Sequence, residues 1–467
     1  MTAVKTYLLT FVTLSIACSV FGQEQQDTLR LSVSDAQLYA LEYNRSVQAS
    51  KIDVEVAKKV ILETTAIGLP QFSIKADYQH IFEVPEISFP VAGFSQDSLI
   101  LQRGPYENFN QSKSLGDLYY YEYTTPGIPL GTKNNTTFNF TLSQLIFSGE
   151  YIVGLQAARI FKEVSEKASI KSELTTKESV ATSYYLVLVL DENLRVLDES
   201  LILLNRTFND IEAMNKQGFV EDTDVDQMKL NQSNLQNMVS SLQSQKEVAL
   251  KLLKFQLGID FSRQIVLTEN LEGIVMKGNF QYLLKDEFNV ESNIDFKMME
   301  TQVDLMSASV RREKSKYLPT ISGFYQHQEM TNAPAFNFMP KDLIGLSMNL
   351  PIVTSGQRIA KVSQAKLMLE KTVLSKQDAE QGLIMEFETA KNEYQTAFLN
   401  YTNYKESMVL SEKIYNKNII KYKAGVGTSL ELTQSQNQYL TSESNYYNSL
   451  ISLLKAKAKI DRIVANN

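Results

Sequence analysis

The chain contains two pairs of short alternating segments, and each pair lies between long helical patterns. In the second pair, the apolar residues from Ile344 to Ile352 alternate with Gly, Ser, Asn and Pro. This is the two-residue period of a strand with two different faces. The first pair shows the same alternation after Leu69-Pro70 and again from Phe138 to Leu142. Because each pair begins at Leu-Pro and ends at Ser-Gly, the pattern predicts a duplicated, mostly helical α and β fold.

The two strand pairs differ in length. The predicted strands cover about residues 70 to 82, 136 to 147, 319 to 330 and 342 to 353. From Leu-Pro to Ser-Gly the first pair spans residues 70 to 149 and the second only 319 to 356, so the first carries about 42 additional residues. These lie between Glu83 and Asn135, in a segment rich in proline and tyrosine. We expect an elaborated surface loop there that trimer assembly does not need.

Long proline-free helical patterns follow both pairs, over Glu150 to about Lys216 and over Gln357 to about Lys423. Each could reach about 100 Å. The first has apolar residues at the alternating four-and-three spacing of a coiled-coil seam. These are Leu190, Leu194, Leu197, Leu201, Leu204, Phe208 and Ile211. Adding 207 to these residue numbers gives a second seam, in the pattern from Gln357 to Lys423, that is more polar and richer in tyrosine. The same offset relates Gly218 to Gly425. A return helix is predicted after each glycine, over Val225 to Gln256 and Leu430 to Val464.

A helix also precedes each strand pair. The first is predicted to start with Ser34 as its N-cap and to run to about Ile67. Its counterpart covers Val290 to Lys316, and an offset of 249 places Asn44 on Asn293. The repeat is therefore helix, strand, strand, long helix, tight turn and return helix.

The first 22 residues have the composition of a secretory signal peptide, with Lys5, an apolar core and small residues before Gln23. A buried N-terminal helix is the alternative interpretation. Cleavage before Gln23 would remove Cys18, which is the only cysteine, so the mature chain would hold no thiol. Lipid attachment at Cys18 stays open, although the position three residues earlier is Ser15 rather than the usual leucine.

Composition excludes several classes of function. A net charge of −7 and a pI near 5.3 do not indicate a nucleic-acid surface. After the signal, no run of 18 apolar residues is present to form a membrane-spanning helix. The only histidines, His80 and His327, lie on predicted strands with no metal-ligand spacing. Nucleophile-elbow, phosphate-loop and dinucleotide motifs are absent, so we expect no enzyme activity, no cofactor and no metal.

Several stretches together resemble the TolC-type outer-membrane efflux proteins. They are Leu31 to Ala36 continuing to Asn44, the two Leu-Pro strand entries, Ser143 to Gly149, and the turns at Gly218 and at Tyr422 to Gly425. The resemblance implies a homotrimer whose twelve strands, four from each chain, close one β-barrel in outer-membrane lipid. An α-helical coiled-coil tunnel would continue it across the periplasm of a Gram-negative bacterium. The implied partners are a periplasmic adaptor and an inner-membrane transporter of the RND or ABC type.

These boundaries divide the chain into eight segments. They are a signal peptide (1–22), an N-terminal segment with the first helix (23–68), the first β-hairpin with its long extracellular loop (69–149), the first helical hairpin (150–260), an equatorial linker (261–290), the second-repeat helix (291–318), the second β-hairpin (319–356) and the second helical hairpin (357–467).

Carboxylates cluster just after the two glycine turns. One interpretation is helix capping alone, because acidic groups favour the positive end of a helix dipole. The resemblance implies in addition that acidic residues ring a closable periplasmic aperture and that the turns contact the adaptor. The implied aperture residues are Asp222, Asp224, Asp226 and Glu431. The implied adaptor-contact residues are Gly218, Phe219, Gly425, Val426 and Gly427. Asp224 and Glu431 both lie six residues beyond their turn glycine.

The expected function is therefore an outer-membrane exit duct of a tripartite efflux or secretion system. One alternative is a duct for type I protein or peptide secretion. Another is an exported coiled-coil scaffold or adhesin, which would explain the seams but not the repeated strand pairs. The sequence leaves the substrate, the adaptor, the pump and its energy source open.

Overall fold

A computed structural model describes residues 28–88, 90–95, 109–115, 118–124, 127–271, 273–274, 288–333 and 337–465. The predicted signal peptide and Cys18 lie outside these residues. The chain forms two compact units. Of the described residues, those within 28–58, 160–306 and 368–465 form one unit, and those within 59–159 and 307–367 form the other. Within the described residues, no helix has the length and apolar character needed to cross a membrane.

The described helices and strands follow the predicted duplicated order. In chain order they are β1 (Leu29–Leu31), α1 (Val33–Tyr43), α2 (Arg45–Ile67), β2 (Gln71–His80), β3 (Glu86–Ile87), β4 (Pro90–Ser95), β5 (Phe109–Leu115), β6 (Leu118–Thr124), β7 (Ile128–Pro129), β8 (Asn134–Ser148), α3 (Gly149–Lys216), α4 (Asp222–Leu257), β9 (Ile265–Leu267), α5 (Ile294–Ser315), β10 (Thr320–Thr331), β11 (Asp342–Asn349), α6 (Gln357–Lys423) and α7 (Ser429–Val464). A 3-10 turn over Val290–Ser292 precedes α5.

The second unit is built on a four-stranded antiparallel sheet in the order β11-β10-β8-β2. Its register places Phe72 beside Leu142, Leu142 beside Tyr325, and Tyr325 beside Ile344. One face therefore collects large apolar side chains that are exposed. They are Phe72, Ile74, Tyr78, Phe138, Leu142, Ile146, Tyr325, Ile344, Leu346 and Met348. The opposite face is mostly polar and includes the Lys75–Asp77 ion pair.

The predicted strands are confirmed to within two residues, except at the end of the fourth. That strand was predicted to continue to residue 353, but β11 ends at Asn349. The extension was wrong because Pro351 lacks an N–H group and cannot continue the ladder of hydrogen bonds.

The additional residues of the first strand pair contain strands of their own. β3 pairs with β7, and β4, β6 and β5 form a three-stranded sheet. The β-prone residues Tyr119 to Tyr121 lie on its central strand, β6. Parts of the predicted loop lie outside the described residues.

The first helix differs from its prediction in two ways. Its N-cap is Ser32 rather than Ser34, because the Ser32 hydroxyl accepts a hydrogen bond from the Asp35 N–H at 3.1 Å. The Asp35 carboxylate in turn accepts from the Ser32 N–H at 3.2 Å, which completes a capping box. The helix also does not run unbroken to Ile67. It stops at Asn44, whose backbone is extended (φ −65°, ψ 128°), and a second helix starts at Arg45.

The side chain of Asn44 explains the break. Its Oδ1 accepts from the Ser46 N–H at 2.8 Å and so caps α2, while its Nδ2 donates to the Gln256 carbonyl at 2.6 Å. Asn293 repeats this arrangement at the start of α5. Its Oδ1 accepts from the Asp295 N–H at 2.8 Å, and its Nδ2 donates to the Ile463 carbonyl at 3.1 Å. The predicted 249-residue offset therefore relates two residues with the same contacts.

The predicted coiled-coil seam lies in a hydrophobic core that α3, α4, α6 and α7 share. Leu197, Leu204 and Ile211 of α3 are buried there, and α4 adds Met228, Leu235 and Val239. Its described members from the second repeat are Tyr415, Ile419, Tyr422, Leu432 and Tyr439. The 207-residue offset places the α6 seam at Tyr404, Tyr415 and Asn418 among others, but Tyr404 is exposed and Ile419 is buried instead of Asn418. Tyr415 does lie in the core, and its ring stacks 5.8 Å from that of Tyr439 of α7.

Candidate functional site at the two glycine turns

The two helical hairpins turn through the same backbone conformation. Gly218 and Gly425 both have positive φ angles, +76° and +72°. After α3, the Phe219 N–H donates to the Met214 carbonyl, and after α6 the Val426 N–H donates to the Lys421 carbonyl, both at 3.0 Å. This pattern closes the helix end and requires a left-handed residue, for which glycine carries no steric cost. The two turns are thus related by the predicted offset of 207.

Both turns expose apolar side chains. Phe219 is 74% exposed, Val426 is 78% exposed and Leu430 is 63% exposed. Gly427 packs closely against the end of α6, because a Cβ added there would lie only 3.1 Å from the backbone nitrogen of Tyr422. The turns therefore present apolar surface that no described part of this chain covers.

The carboxylates after the first turn have three different environments. Asp222 accepts from the Asn215 Nδ2 at 2.9 Å, and the same Nδ2 also donates to the Val220 carbonyl. The Asn215 amide and the Asp222 carboxylate thus stabilise the turn together. Asp224 accepts a short hydrogen bond from the Ser429 hydroxyl. Asp226 is exposed and forms no hydrogen bond or ion pair within the described residues.

Glu431 caps its own helix. Thr428, the N-cap of α7, accepts from the Glu431 N–H at 3.2 Å, and the Glu431 carboxylate accepts from the Thr428 N–H at 3.4 Å. Asp224 and Glu431 therefore occupy matching sequence positions but make different contacts. The capping interpretation holds for Glu431, whereas Asp224 joins the two hairpins.

A second contact joins the same hairpins. The Lys423 Nζ lies 2.9 Å from the Asp210 carboxylate of α3. Deeper in the helices, the buried Asn231 of α4 donates to the Thr433 hydroxyl of α7 at 3.0 Å. Asp210, Lys423 and Ser429 were missed by the sequence interpretation, because nothing in their local spacing reveals a partner some 200 residues away. We call the Asp224–Ser429 and Asp210–Lys423 contacts the hairpin tether.

A buried carboxyl group lies further along α7. Glu443 has no exposed surface, and neither of its oxygens has a hydrogen-bond partner within the described residues. Burial raises the pKa of Glu443 to about 8, and the nearby Glu412 carboxylate of α6 adds to the effect. The seam spacing could have located it, because Leu432, Gln436, Tyr439 and Glu443 follow the four-and-three pattern.

Each of the two strand histidines has a hydrogen-bond partner on a neighbouring strand. His80 lies 2.6 Å from the Asn134 Oδ1, and His327 lies 2.7 Å from the Asp342 Oδ1. Among the described residues, no group of three or more His, Cys, Asp or Glu could hold a metal ion.

Comparison with known proteins relates the second repeat to one family by sequence. Residues 290–466 match the sequence model of the family described as outer membrane efflux protein. The second repeat is therefore similar in sequence to the outer membrane efflux proteins. That family consists of channels rather than enzymes. No protein in the curated set of sequences matches the chain.

Solved structures of outer-membrane proteins share the fold of nearly the whole chain. The outer membrane protein VceC from Vibrio cholerae is 14% identical with a TM-score of 0.66, covering 93% of this chain and 96% of its own. The outer membrane channel CmeC from Campylobacter jejuni is 16% identical with a TM-score of 0.69, covering 92% and 85%. The MtrE channel from Neisseria gonorrhoeae, described in its open state, is 14% identical with a TM-score of 0.64, covering 92% and 88%.

Proposed function

We propose that this protein is the outer-membrane exit duct of a tripartite efflux system. It would passively conduct substrates from a periplasmic adaptor and an inner-membrane pump to the exterior of a Gram-negative cell. We assign the chain no catalytic, cofactor or metal role. The family of its second repeat and the fold of its structural neighbours support this proposal.

The observation that carries the proposal is the four-stranded sheet with its exposed apolar face. Ten large apolar side chains along one face have no protein cover within the described residues, which suits contact with lipid acyl chains. The outer strands, β2 and β11, each have one edge with no described partner strand. Unpaired backbone groups are not tolerated in lipid, so a membrane sheet of this kind has to pair its edges with other copies.

We infer that three chains close a twelve-stranded barrel, with β2 of one copy pairing with β11 of the next. Light scattering of the purified protein in mild detergent tests this step. The expected protein mass is three times that of one mature chain, and a denatured sample provides the single-chain reference. A mass of one chain under native conditions would contradict the proposal.

The glycine turns are the proposed periplasmic end of the duct. Phe219, Val426 and the glycines beside them would contact the adaptor, since they present apolar surface on tight turns. Asp222, Asp224, Asp226 and Glu431 would surround the aperture, where three copies of each carboxylate repel one another and attract cations. Like charges cannot hold an aperture closed. The hairpin tether supplies a bond that can, and its release would free the second hairpin to move.

A further inference from the structure

A polar cavity of about 310 Å³ lies where the four-stranded sheet meets the helices of the same unit. Its lining includes Ser148, Thr320 and Asn349 at the ends of three neighbouring strands. The basic residues Lys316, Arg358 and Lys361 also line it, together with Glu150. None of these residues belongs to the glycine turns, and neither the comparisons nor the proposed duct assigns them a role.

The strand register places this cavity on the polar side of the sheet. Thr320 pairs with both Ser148 and Asn349, so these three side chains share a face. The next residues on that face are Ser322 and Ser347, whereas Ile321 and Met348 belong to the apolar face. If the apolar face contacts lipid, as the proposed function requires, the cavity opens to water. A dissolved solute rather than a lipid headgroup is then its ligand.

The charges of the cavity are unevenly balanced. Arg312 donates to the Glu150 carboxylate from Nε at 3.0 Å and from Nη2 at 2.7 Å, so this carboxylate already has a cation. Lys316 lies 2.6 Å from the Glu313 carboxylate. In contrast, Arg358 and Lys361 have no carboxylate partner within the described residues. The cavity therefore holds two uncompensated positive charges on a chain whose net charge is −7.

Arg358 is held in place by groups that leave its charge available. Its guanidinium lies 5.4 Å from the centre of the Tyr317 ring, and its Nη1 donates to the Pro351 carbonyl at 3.2 Å. A guanidinium has five N–H donors, and its planar fork matches the oxygens of phosphate or sulfate. Lys361 follows Arg358 by three residues on α6, which places both cations on the same side of the helix.

We propose that Arg358 and Lys361, with Lys316 beside them, form a binding site for oxyanions such as phosphate that reach the polar face of the sheet from water. This inference rests on the proposed duct and adds a substrate preference to it. In the assembled channel, the site would favour anionic solutes and counteract the negative charge of the aperture.

The test uses the complete trimer in planar bilayers, with inorganic phosphate as the probe. We expect phosphate to reduce the single-channel current more than chloride does at equal ionic strength. In the double variant R358Q/K361Q, the phosphate concentration for half-block should rise about tenfold or more, because two charge-assisted bonds are lost. The reversal potential in a KCl gradient should also shift toward cation selectivity.

Two further variants test whether the effect depends on positive charge in the cavity or on any positive charge of the chain. R358K/K361R keeps both charges and should retain the block. R311Q/K314Q removes two exposed charges of α5 that do not line the cavity, and should leave block and reversal potential unchanged. Equal block and reversal potential in wild type and R358Q/K361Q would overturn the inference. A wild-type protein that forms no channels would instead contradict the proposed function, so the two failures can be told apart.

Discussion

At the scale of single residues, the buried carboxyl of Glu443 on the seam of α7 makes the stability of the helices depend on pH. Its carboxyl is buried beside the aromatic residues Tyr439 and Tyr447 of its own helix and faces Glu412 of α6. No described cation offsets it, so burial favours the neutral form and its pKa rises to about 8.

A raised carboxyl pKa makes the folded state less stable as pH increases. The unfolded chain releases this proton near pH 4.5, whereas the folded chain keeps it until about pH 8, so the stabilisation is complete below pH 4.5 and is lost between those values. We expect the melting temperature of E443Q relative to wild type to rise between pH 5 and pH 8, by an amount equivalent to a few kcal/mol. The exposed Glu406→Gln is the control, and parallel pH profiles for E443Q and wild type would contradict the assignment.

The hairpin tether depends on two side-chain contacts that single substitutions can remove. Removing the Asp224–Ser429 bond in D224A or S429A, or the ion pair in K423A, should raise the single-channel conductance, because closure loses a bond between the two hairpins. Glu247→Ala is the control, since Glu247 is exposed on α4 and belongs neither to the tether nor to the proposed aperture. Unchanged conductance in D224A/K423A would show that the tether does not hold the aperture closed.

At the scale of helices and turns, the sequence predicted most boundaries because local signals determine them. The ends of α3 and α6 at Lys216 and Lys423 were found because a glycine in the left-handed conformation ends each helix. The break at Asn44 was missed because the apolar spacing continues through it. Asn44 ends one helix and caps the next only because the Gln256 carbonyl, 212 residues away, accepts from its side chain.

The two asparagine junctions give a prediction about stability. N44A and N293A should each lower the free energy of unfolding by about 1–3 kcal/mol, because a helix cap and a buried hydrogen bond to a return helix are lost together. Asp in either position keeps the capping oxygen but not the donor, so N44D and N293D should fall between wild type and alanine. Chemical denaturation measures this, with the exposed Asn403→Ala as control. Equal stability of N44D and N44A would show that the cap contributes nothing.

The turn glycines give a prediction about docking. Nothing lies within 4 Å of a Cβ built at Gly218 or Gly425, so a lysine there should strain the backbone by only about 1 kcal/mol and leave trimers intact. If the turns contact the adaptor, G218K and G425K should nevertheless abolish export in cells. Gly382 is the matched control, because it is exposed on α6 and also has open space around it. Normal export by both turn variants would remove the turns from the docking surface.

At the scale of the whole molecule, the duplication was predictable, whereas contacts between the repeats were not. Offsets of 207 and 249 residues locate equivalent turns and junctions from the sequence alone. The Asp224–Ser429 bond breaks that equivalence, since Glu431 at the matching position caps α7 instead. The oxyanion cavity depends on strand register as well as on charge, so its residues were not predicted.

The additional residues between β2 and β8 give a prediction about assembly. Deleting residues 90–124 removes β4, β5 and β6 but keeps the β3–β7 pair and the Thr132 contact to the Asn332 carbonyl. The shortened protein should still form trimers of unchanged thermal stability, because the four-stranded sheet keeps all its ladder pairs. Loss of membrane insertion would show that this segment is needed for the fold.

Single-channel recording of the purified protein in planar bilayers tests the central claim most directly. If three chains form a duct with a closable end, the wild type should give discrete, uniform conductance steps, and D224A/K423A should give larger or longer-lived ones. If trimers that insert stably into the bilayer produce no conductance steps in either the wild type or the tether variant, the protein is not a duct.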